Sequence, residues 1–190
     1  MELAQNVTAQ TYLRSRGLDA AVASMYRLGA ATPIAGFDSY AGRLAIPYLT
    51  PRGAIDIRFR SLGQAEPKYL SRSGGAMRMY NVLAFKKDTD FIAICEGEID
   101  TITCDAPSLC DIPAVGMPGV NAWKPYWHRA FADYRRVFVF CDGDEPGREM
   151  GKRVQQTVEQ ATIIHLPEGE DVNSLFLKGG PDEIRRRVGL

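Results

Sequence analysis

A chain of 190 residues, 45% hydrophobic and 24% charged, has the composition of a soluble globular protein of one compact domain or two small lobes, with enough length to bury a sizeable core. Its 23 basic and 23 acidic residues balance, yet they are unevenly laid out: Arg43, Arg52, Arg58, Arg60, Lys68, Arg72 and Arg78 face only Asp56 and Glu66 over the same stretch, while acids gather further on. No apolar run is long enough to span a bilayer and no secretory leader is read at the start, so a cytosolic chain with no membrane partner is expected.

Val7 to Arg27 carries helical spacing, with Thr8 as the expected cap of a helix holding Tyr12 and Leu13, Gly17 as its breaker, and Asp19 capping a second helix through Met25 and Tyr26. By itself this is a small helical pair on a surface. Ala45 to Leu49 and Ile55 to Phe59 alternate as an antiparallel pair joined by the turn Thr50-Pro-Arg-Gly53. The alternation sets Ile55, Ile57 and Phe59 on one face and Asp56, Arg58 and Arg60 on the other, where the guanidiniums suit either a solvated edge or bidentate phosphate contacts. Pro67-Lys-Tyr-Leu70, Gly74-Gly75 and Met79-Tyr-Asn81 follow.

The apolar run Phe91 to Cys95 stops on Glu96-Gly-Glu-Ile-Asp100, which reads as an interior parallel strand entering a tight turn and then a helix. Glu96 then stands at the carboxyl end of the strand, and Asp100 one turn into the helix can face the same crevice, where open α/β sheets bind ligands. Ile112 to Val115 forms a further strand that empties into Gly116-Met-Pro-Gly-Val-Asn121, where Gly116 and Gly119 make either a tight turn or a loop whose backbone N–H groups approach a phosphate. Trp123, Trp127 and His128 lie on a helix that reads as packing.

Val137 to Cys141 repeats the first design and ends on Asp142-Gly-Asp144, with a helix from Gly147 to Gln160 turning Val154, Val158 and Ala161 inward. Thr162 to Leu166 is the last strand, Asp171 stands where it can cap a short helix from Val172 to Leu177, and a charged helix near Pro181 to Val188 closes the chain. Glu96, Asp142 and Asp144 on neighbouring strand ends would repel one another unless protonated or bridged by a cation. Oxygen ligands without organised His or Cys favour Mg²⁺ or Mn²⁺, and Cys95, Cys104, Cys110 and Cys141 lack the Cys-x-x-Cys spacing of a zinc ribbon and read as reduced structural thiols.

The pair Glu96-Gly-x-x-Asp100 and Asp142-x-Asp144-x-x-Gly147 resembles the toprim core shared by bacterial-type primases, type IA and II topoisomerases and certain nucleases. Gly42-Arg43-Leu-Ala-Ile-Pro47, Phe59-Arg60, Pro67-Lys-Tyr-Leu70 and Met79-Tyr-Asn81, in this order, narrow the resemblance to DnaG-like primases, as do pieces near Tyr12 and the Leu166-Pro-x-x-x-Asp171-x-Asn173 segment. Two departures stand out: Gly42 to Pro47 is one residue shorter than the family spacing, and Ser71 stands where the family has Asn.

The resemblance implies an α/β fold, a toprim parallel four-stranded sheet flanked by helices over residues 89–190, preceded by a smaller basic α+β lobe over residues 1–88. It implies synthesis of RNA primers on a single-stranded DNA template from ribonucleoside triphosphates held between the lobes. Glu96, Asp142 and Asp144 would be catalytic, two or more Mg²⁺ or Mn²⁺ ions would be held by these with Asp100 and Asp171, and Arg43, Arg58, Arg60, Lys68, Gly116 and Gly119 would contact nucleotide or nucleic acid. A toprim nuclease and a non-catalytic nucleic-acid-binding module are the alternatives; a topoisomerase needs a breakage domain and gate that these 190 residues are too few to hold. The family's zinc ribbon and helicase-linked domains have no counterpart here, so the expectation is a short, phage-like, monomeric core that borrows both functions from separate zinc-bearing and helicase proteins.

Overall fold

The structure is a computed structural model that describes residues 3–33, 38–71, 74–119 and 121–190. Arg72 of the basic stretch and Val120 of the glycine loop lie outside the described residues. The chain divides into two units, Met1–Ala76 and Met77–Leu190.

The first unit holds α1 (Val7–Ser15), α2 (Ala20–Met25) and an antiparallel sheet of β1 (Gly29–Ala30), β2 (Leu44–Thr50), β3 (Gly53–Arg60) and β4 (Tyr69–Ser71), in that spatial order. The cap of α1 is Asn6 rather than Thr8: Asn6 has the extended backbone a cap needs and its side chain accepts the Ala9 N–H at 2.9 Å, whereas Thr8 is already inside the helix. Asp19 caps α2 as expected, accepting the Val22 N–H at 2.8 Å.

Both helices end in the same turn. Leu18 N–H returns to the Leu13 carbonyl (2.9 Å) past Gly17, and Leu28 N–H returns to the Ala23 carbonyl (2.8 Å) past Arg27. The residue at the bend is left-handed in each, with φ 72° at Gly17 and φ 51° at Arg27. Glycine takes this conformation freely, whereas arginine bears about 1–2 kcal/mol of steric cost there.

The expected hairpin of β2 and β3 is present, with Thr50 paired to Gly53. Its alternation is looser than the sequence suggests, because the register shifts between Tyr48 and Leu49 and carries Ile55, 45% exposed, past the end of the core. Phe59 is held inward by Tyr40, with ring centroids 4.5 Å apart.

Residues 77–88 belong with the second unit, so the division precedes them instead of following residue 88. Tyr80 exchanges both backbone hydrogen bonds with Gly116 (2.8 and 3.1 Å), the Asn81 amide donates to the Ala114 carbonyl at 2.8 Å, and Ala84 enters the core. Four parallel strands follow, β5 (Phe91–Cys95), β6 (Ala114–Gly116), β7 (Arg136–Cys141) and β8 (Ala161–His165), ordered β6-β5-β7-β8, with α3 (Glu98–Asp105), α4 (Glu145–Gln155) and α5 (Val172–Arg187) between and after them.

The continuous apolar runs of β5 and β7 are explained by burial on both faces. Ile92, Ile94, Val137, Val139 and Cys141 meet Met150 and Val154 of α4 on one side; Ala93, Cys95, Phe138 and Phe140 meet Cys104 of α3 and Leu175 and Ile184 of α5 on the other.

Details shift against the sequence reading. The strand expected from Ile112 begins at Ala114, and α4 stops at Gln155, leaving Val158 buried in the turn and Ala161 at the start of β8. Trp127 and His128 lie on a 3₁₀ segment, Pro125–Phe131, with Trp123 just before it donating to Thr157 Oγ1 at 3.1 Å. The two expected closing helices are halves of α5, broken at Gly180 (φ 71°) ahead of Pro181. No described helix is long and apolar enough to cross a membrane.

Close packing of α4 on the sheet depends on Gly151, where an added Cβ would stand 2.3 Å from Cys141 Sγ. Gly151→Ala is expected to lower unfolding stability by about 1–3 kcal/mol, read from the urea midpoint of the whole chain. An unchanged midpoint would mean that α4 can lift off β7 without loss.

Candidate active site

Buried parallel strands cannot carry ionised groups, so the first carboxylates appear where the strands leave the core. Glu96 follows β5 and Asp142 follows β7; the two strands are direct neighbours and parallel, which sets these residues side by side at the carboxyl edge of the sheet. Two glycines let the backbone close around them. A Cβ at Gly143 would lie 1.8 Å from the Pro167 carbonyl oxygen, and one at Gly147 would lie 2.7 Å from the Asp142 carbonyl and 3.0 Å from Glu96 Oε2. The Asp142–Asp144 turn is tied to the segment before α5 by Gly143 N–H to the Glu170 carbonyl (2.9 Å) and Gly169 N–H to the Gly143 carbonyl (3.2 Å).

Each sequence-predicted carboxylate has its own environment. Glu96 is half-buried, and its Oε2 is a buried oxygen with no hydrogen-bond partner among the described residues. Asp100, on α3, is buried; its Oδ1 accepts the Asn173 N–H at 2.9 Å. Asp144 is exposed and caps α4, accepting the Gly147 N–H at 2.8 Å. Asp171 caps α5 in a reciprocal box, its Oδ1 accepting the Ser174 N–H at 2.6 Å while its own N–H donates to Ser174 Oγ at 3.0 Å.

The capping reading of Asp171 is therefore realised, and its charge still reaches the site, because it acts on Asp100. Burial pushes the Asp100 carboxyl up to about 8, with the charges of Asp171 and Asp142 adding to the rise. Burial likewise pushes Glu96 up to about 7, helped by Asp144 and Asp100 and opposed by a hydrogen bond from the Asp142 backbone. All five carboxylates thus share one negative field. Among the described residues, no group of three or more His, Cys, Asp or Glu side chains is poised around one point as a finished metal cage.

The basic residues of the first unit separate into three kinds. Arg43 is buried, donating through Nη1 to the Pro67 carbonyl (2.8 Å) and through Nε to the Ser39 carbonyl (3.1 Å), so it holds the loop before Lys68 instead of standing on the surface. Arg58 and Arg60 flank Tyr69: the first guanidinium lies 4.4 Å from the ring centroid, and Nη1 of the second bonds the phenol oxygen at 2.5 Å. Lys68 is exposed, and its ammonium makes no hydrogen bond or ion pair among the described residues. Tyr69 and Asn173 contact predicted site residues, contacts that the sequence reading did not give them; each acts on a partner distant in sequence or in the next strand.

A family model described as Toprim-like matches residues 93–176, the stretch from β5 into α5. The Gene 57 protein of Mycobacterium phage D29 is 45% identical over 154 residues, covering 78% of this chain and 99% of that protein. The DNA primase of Pseudomonas aeruginosa is 28% identical over 169 residues, covering 80% of this chain and 25% of that protein. In structure, the chain superposes on the DnaG primase catalytic domain bound to single-stranded DNA with a TM-score of 0.81 at 22% identity, covering 96% of this chain and 71% of that one. The chain belongs to the family of the phage D29 Gene 57 protein, and it shares the fold of the DnaG catalytic domain. It spans nearly the whole length of the phage relative and a quarter of the length of the Pseudomonas DNA primase.

One expectation carried from the primase family changes here. Gly116 was expected to offer its backbone N–H to a phosphate, but it is buried, its N–H donates to the Tyr80 carbonyl, and a Cβ there would meet Thr101 Oγ1 at 2.4 Å. Its glycine is needed for packing against α3. Gly119 remains exposed, with φ 124° and its carbonyl accepting the Ala122 N–H at 2.9 Å.

A carboxyl whose pKa is higher folded than unfolded binds its proton more tightly in the folded state, so its stabilising contribution is present at low pH and is lost as pH rises through the folded value. For this chain without metal, unfolding stability is expected to fall from about pH 4, where the same carboxyls ionise in the unfolded chain, and to level off once Glu96 and Asp100 have ionised near 7 and 8. Millimolar Mg²⁺ should restore it at the alkaline end. Urea titrations across this range test the point. A flat profile, or an identical slope in Glu96→Gln, would remove the charge conflict from the account.

Proposed function

We propose that this chain is the polymerase core of a primase, joining ribonucleoside triphosphates into a short RNA primer on a single-stranded DNA template. The observation that carries the reading is the group of carboxylates at the carboxyl edge of the parallel sheet, Glu96 after β5 and Asp142 and Asp144 after β7, with a buried Glu96 oxygen left unpartnered. The shared fold and the kinship with DNA primases support it.

The site chemistry fits Mg²⁺ or Mn²⁺: the donors are all oxygen, and the burial that lifts Glu96 and Asp100, with neighbouring negative charge adding to it, calls for a cation. Glu96, Asp142 and Asp144 would hold two or more such ions, with Asp100 and Asp171 adding charge beside them. When bound, the ion supplies Lewis acidity that lowers the pKa of an attacking 3′-hydroxyl and balances charge on the α-phosphate and departing pyrophosphate.

The chain itself contributes position and charge. Gly143 and Gly147 keep the turn after β7 tight against its neighbours, and the Asn173 N–H fixes one oxygen of Asp100. Lys68, with its unengaged ammonium, steadies the triphosphate, while Arg58 and Arg60, braced on Tyr69, present guanidiniums to phosphates. No side chain serves as nucleophile; burial pushes the Cys141 thiol up to about 12 and raises Cys95 as well, so neither is a thiolate at neutral pH. Start-site selection and helicase coupling come from separate zinc-bearing and helicase proteins, with the core working as a monomer in the cytoplasm of a phage host.

Incorporation of labelled ribonucleotides on single-stranded DNA with Mg²⁺ or Mn²⁺ tests the proposal. A ladder of short RNA is expected from the wild type, reduced at least about 100-fold in Glu96→Gln and in Asp142→Asn/Asp144→Asn. Lys68→Ala should raise the KM for nucleotide more than it lowers kcat. Template degradation that needs the carboxylates but ignores Lys68→Ala would make the chain a nuclease. A ladder that survives the carboxylate substitutions would move the site elsewhere.

A further inference from the structure

The first unit carries a second concavity that the carboxylate chemistry does not use. It is an open groove of about 570 Å³ beside α1 and α2, within the size range of ligand sites. Leu13, Leu18, Ala23 and Leu28, all buried, form its floor. Among the described lining residues none is aromatic.

The rim is cationic. Among the described residues, the exposed Arg14 guanidinium is held only by a long 3.4 Å bond to Gln10 Oε1, and the exposed Arg27 guanidinium makes no hydrogen bond or ion pair. Asp19 is the one acid among the described lining residues, and its carboxylate is turned to the Val22 N–H as the cap of α2. The paired helix ends sharpen the point. Where the turn after α1 uses Gly17, the equivalent turn after α2 holds an arginine in the left-handed region, and this arginine is itself one of the residues that line the groove. A strained backbone carrying an unengaged charge beside an apolar floor is a feature that stability alone does not favour.

The geometry points to a docking groove for an acidic peptide segment of a partner protein, with one aliphatic side chain seated on the leucine floor and flanking carboxylates held by Arg14 and Arg27. A nucleic-acid strand suits the groove poorly, because the described lining residues offer no aromatic platform for bases and phosphates would lose water over an apolar floor. The inference stands apart from the primase reading, since no residue of the groove belongs to the carboxylate site.

The test pans a library of random twelve-residue peptides against the whole chain, with the Arg14→Glu/Arg27→Glu chain as counter-selection. Enriched peptides should share a Leu, Ile or Met beside at least two acids. Measured by fluorescence anisotropy with one such synthetic peptide, Arg27→Gly should weaken binding about tenfold without lowering the melting temperature, because it removes the charge and relaxes the bend. Charge reversal at both arginines should shift preference to peptides flanked by lysine. The proposal is overturned by the absence of any consensus, by a consensus without acids, or by affinity that ignores Arg27→Gly. Displacement of the peptide by an equal concentration of a twelve-nucleotide oligothymidylate would also overturn it by assigning the groove to nucleic acid. Self-association abolished by Arg27→Gly would do the same in favour of a second copy of the chain.

Discussion

Repulsion among carboxylates at the ends of two adjacent strands is the constraint on which the second unit turns. Glu96 and Asp142 leave β5 and β7 together, and no cation of the described residues is bonded to either Glu96 or Asp100 to relieve them. Buried charge of one sign is costly unless it is protonated or countered from outside. The surrounding fold sustains that cost: the sheet is packed on both faces, two glycines permit the turn after β7 to close, and α5 delivers a backbone N–H to Asp100. A site organised in this way is stiff in its backbone and unsatisfied in its charge, which suits the binding of a dication with an anionic substrate.

Capping and chemistry coincide at the same residues. Asp144 and Asp171 each spend one oxygen on a helix N-terminus, where a negative charge is also favoured by the helix dipole. The helices α4 and α5 therefore fix where these carboxylates stand while leaving their charge in the site's field. The same economy holds in the first unit, where Arg43 is spent on positioning the loop that leads to Lys68, and Tyr69 braces two guanidiniums at once.

The parallel sheet was legible because its signal is local: an apolar run buried on both faces needs no partner to be recognised, and an acid directly after it marks the strand end. Glu96, Asp142 and Asp144 could be placed for that reason. What escaped the sequence depends on contacts far apart along the chain. Arg43 reads as a surface cation until the Pro67 carbonyl, 24 residues on, is brought to it. The burial that raises Asp100 comes with Asn173, 73 residues away. Gly116 reads as a loop glycine because nothing local reveals that Tyr80 pairs with it or that Thr101 presses against it. Thr8 and Asn6 are both fair caps by composition, and only backbone geometry decides between them.

Calorimetric titration of Mn²⁺ into the metal-free chain at pH 6.5, repeated in buffers of different ionisation enthalpy, addresses the central claim most directly. If burial and crowding keep Glu96 and Asp100 largely protonated there, as values near 7 and 8 require, ion binding releases protons, and Glu96→Gln diminishes both the release and the affinity. Binding with no proton release, or binding indifferent to Glu96→Gln, would contradict the account.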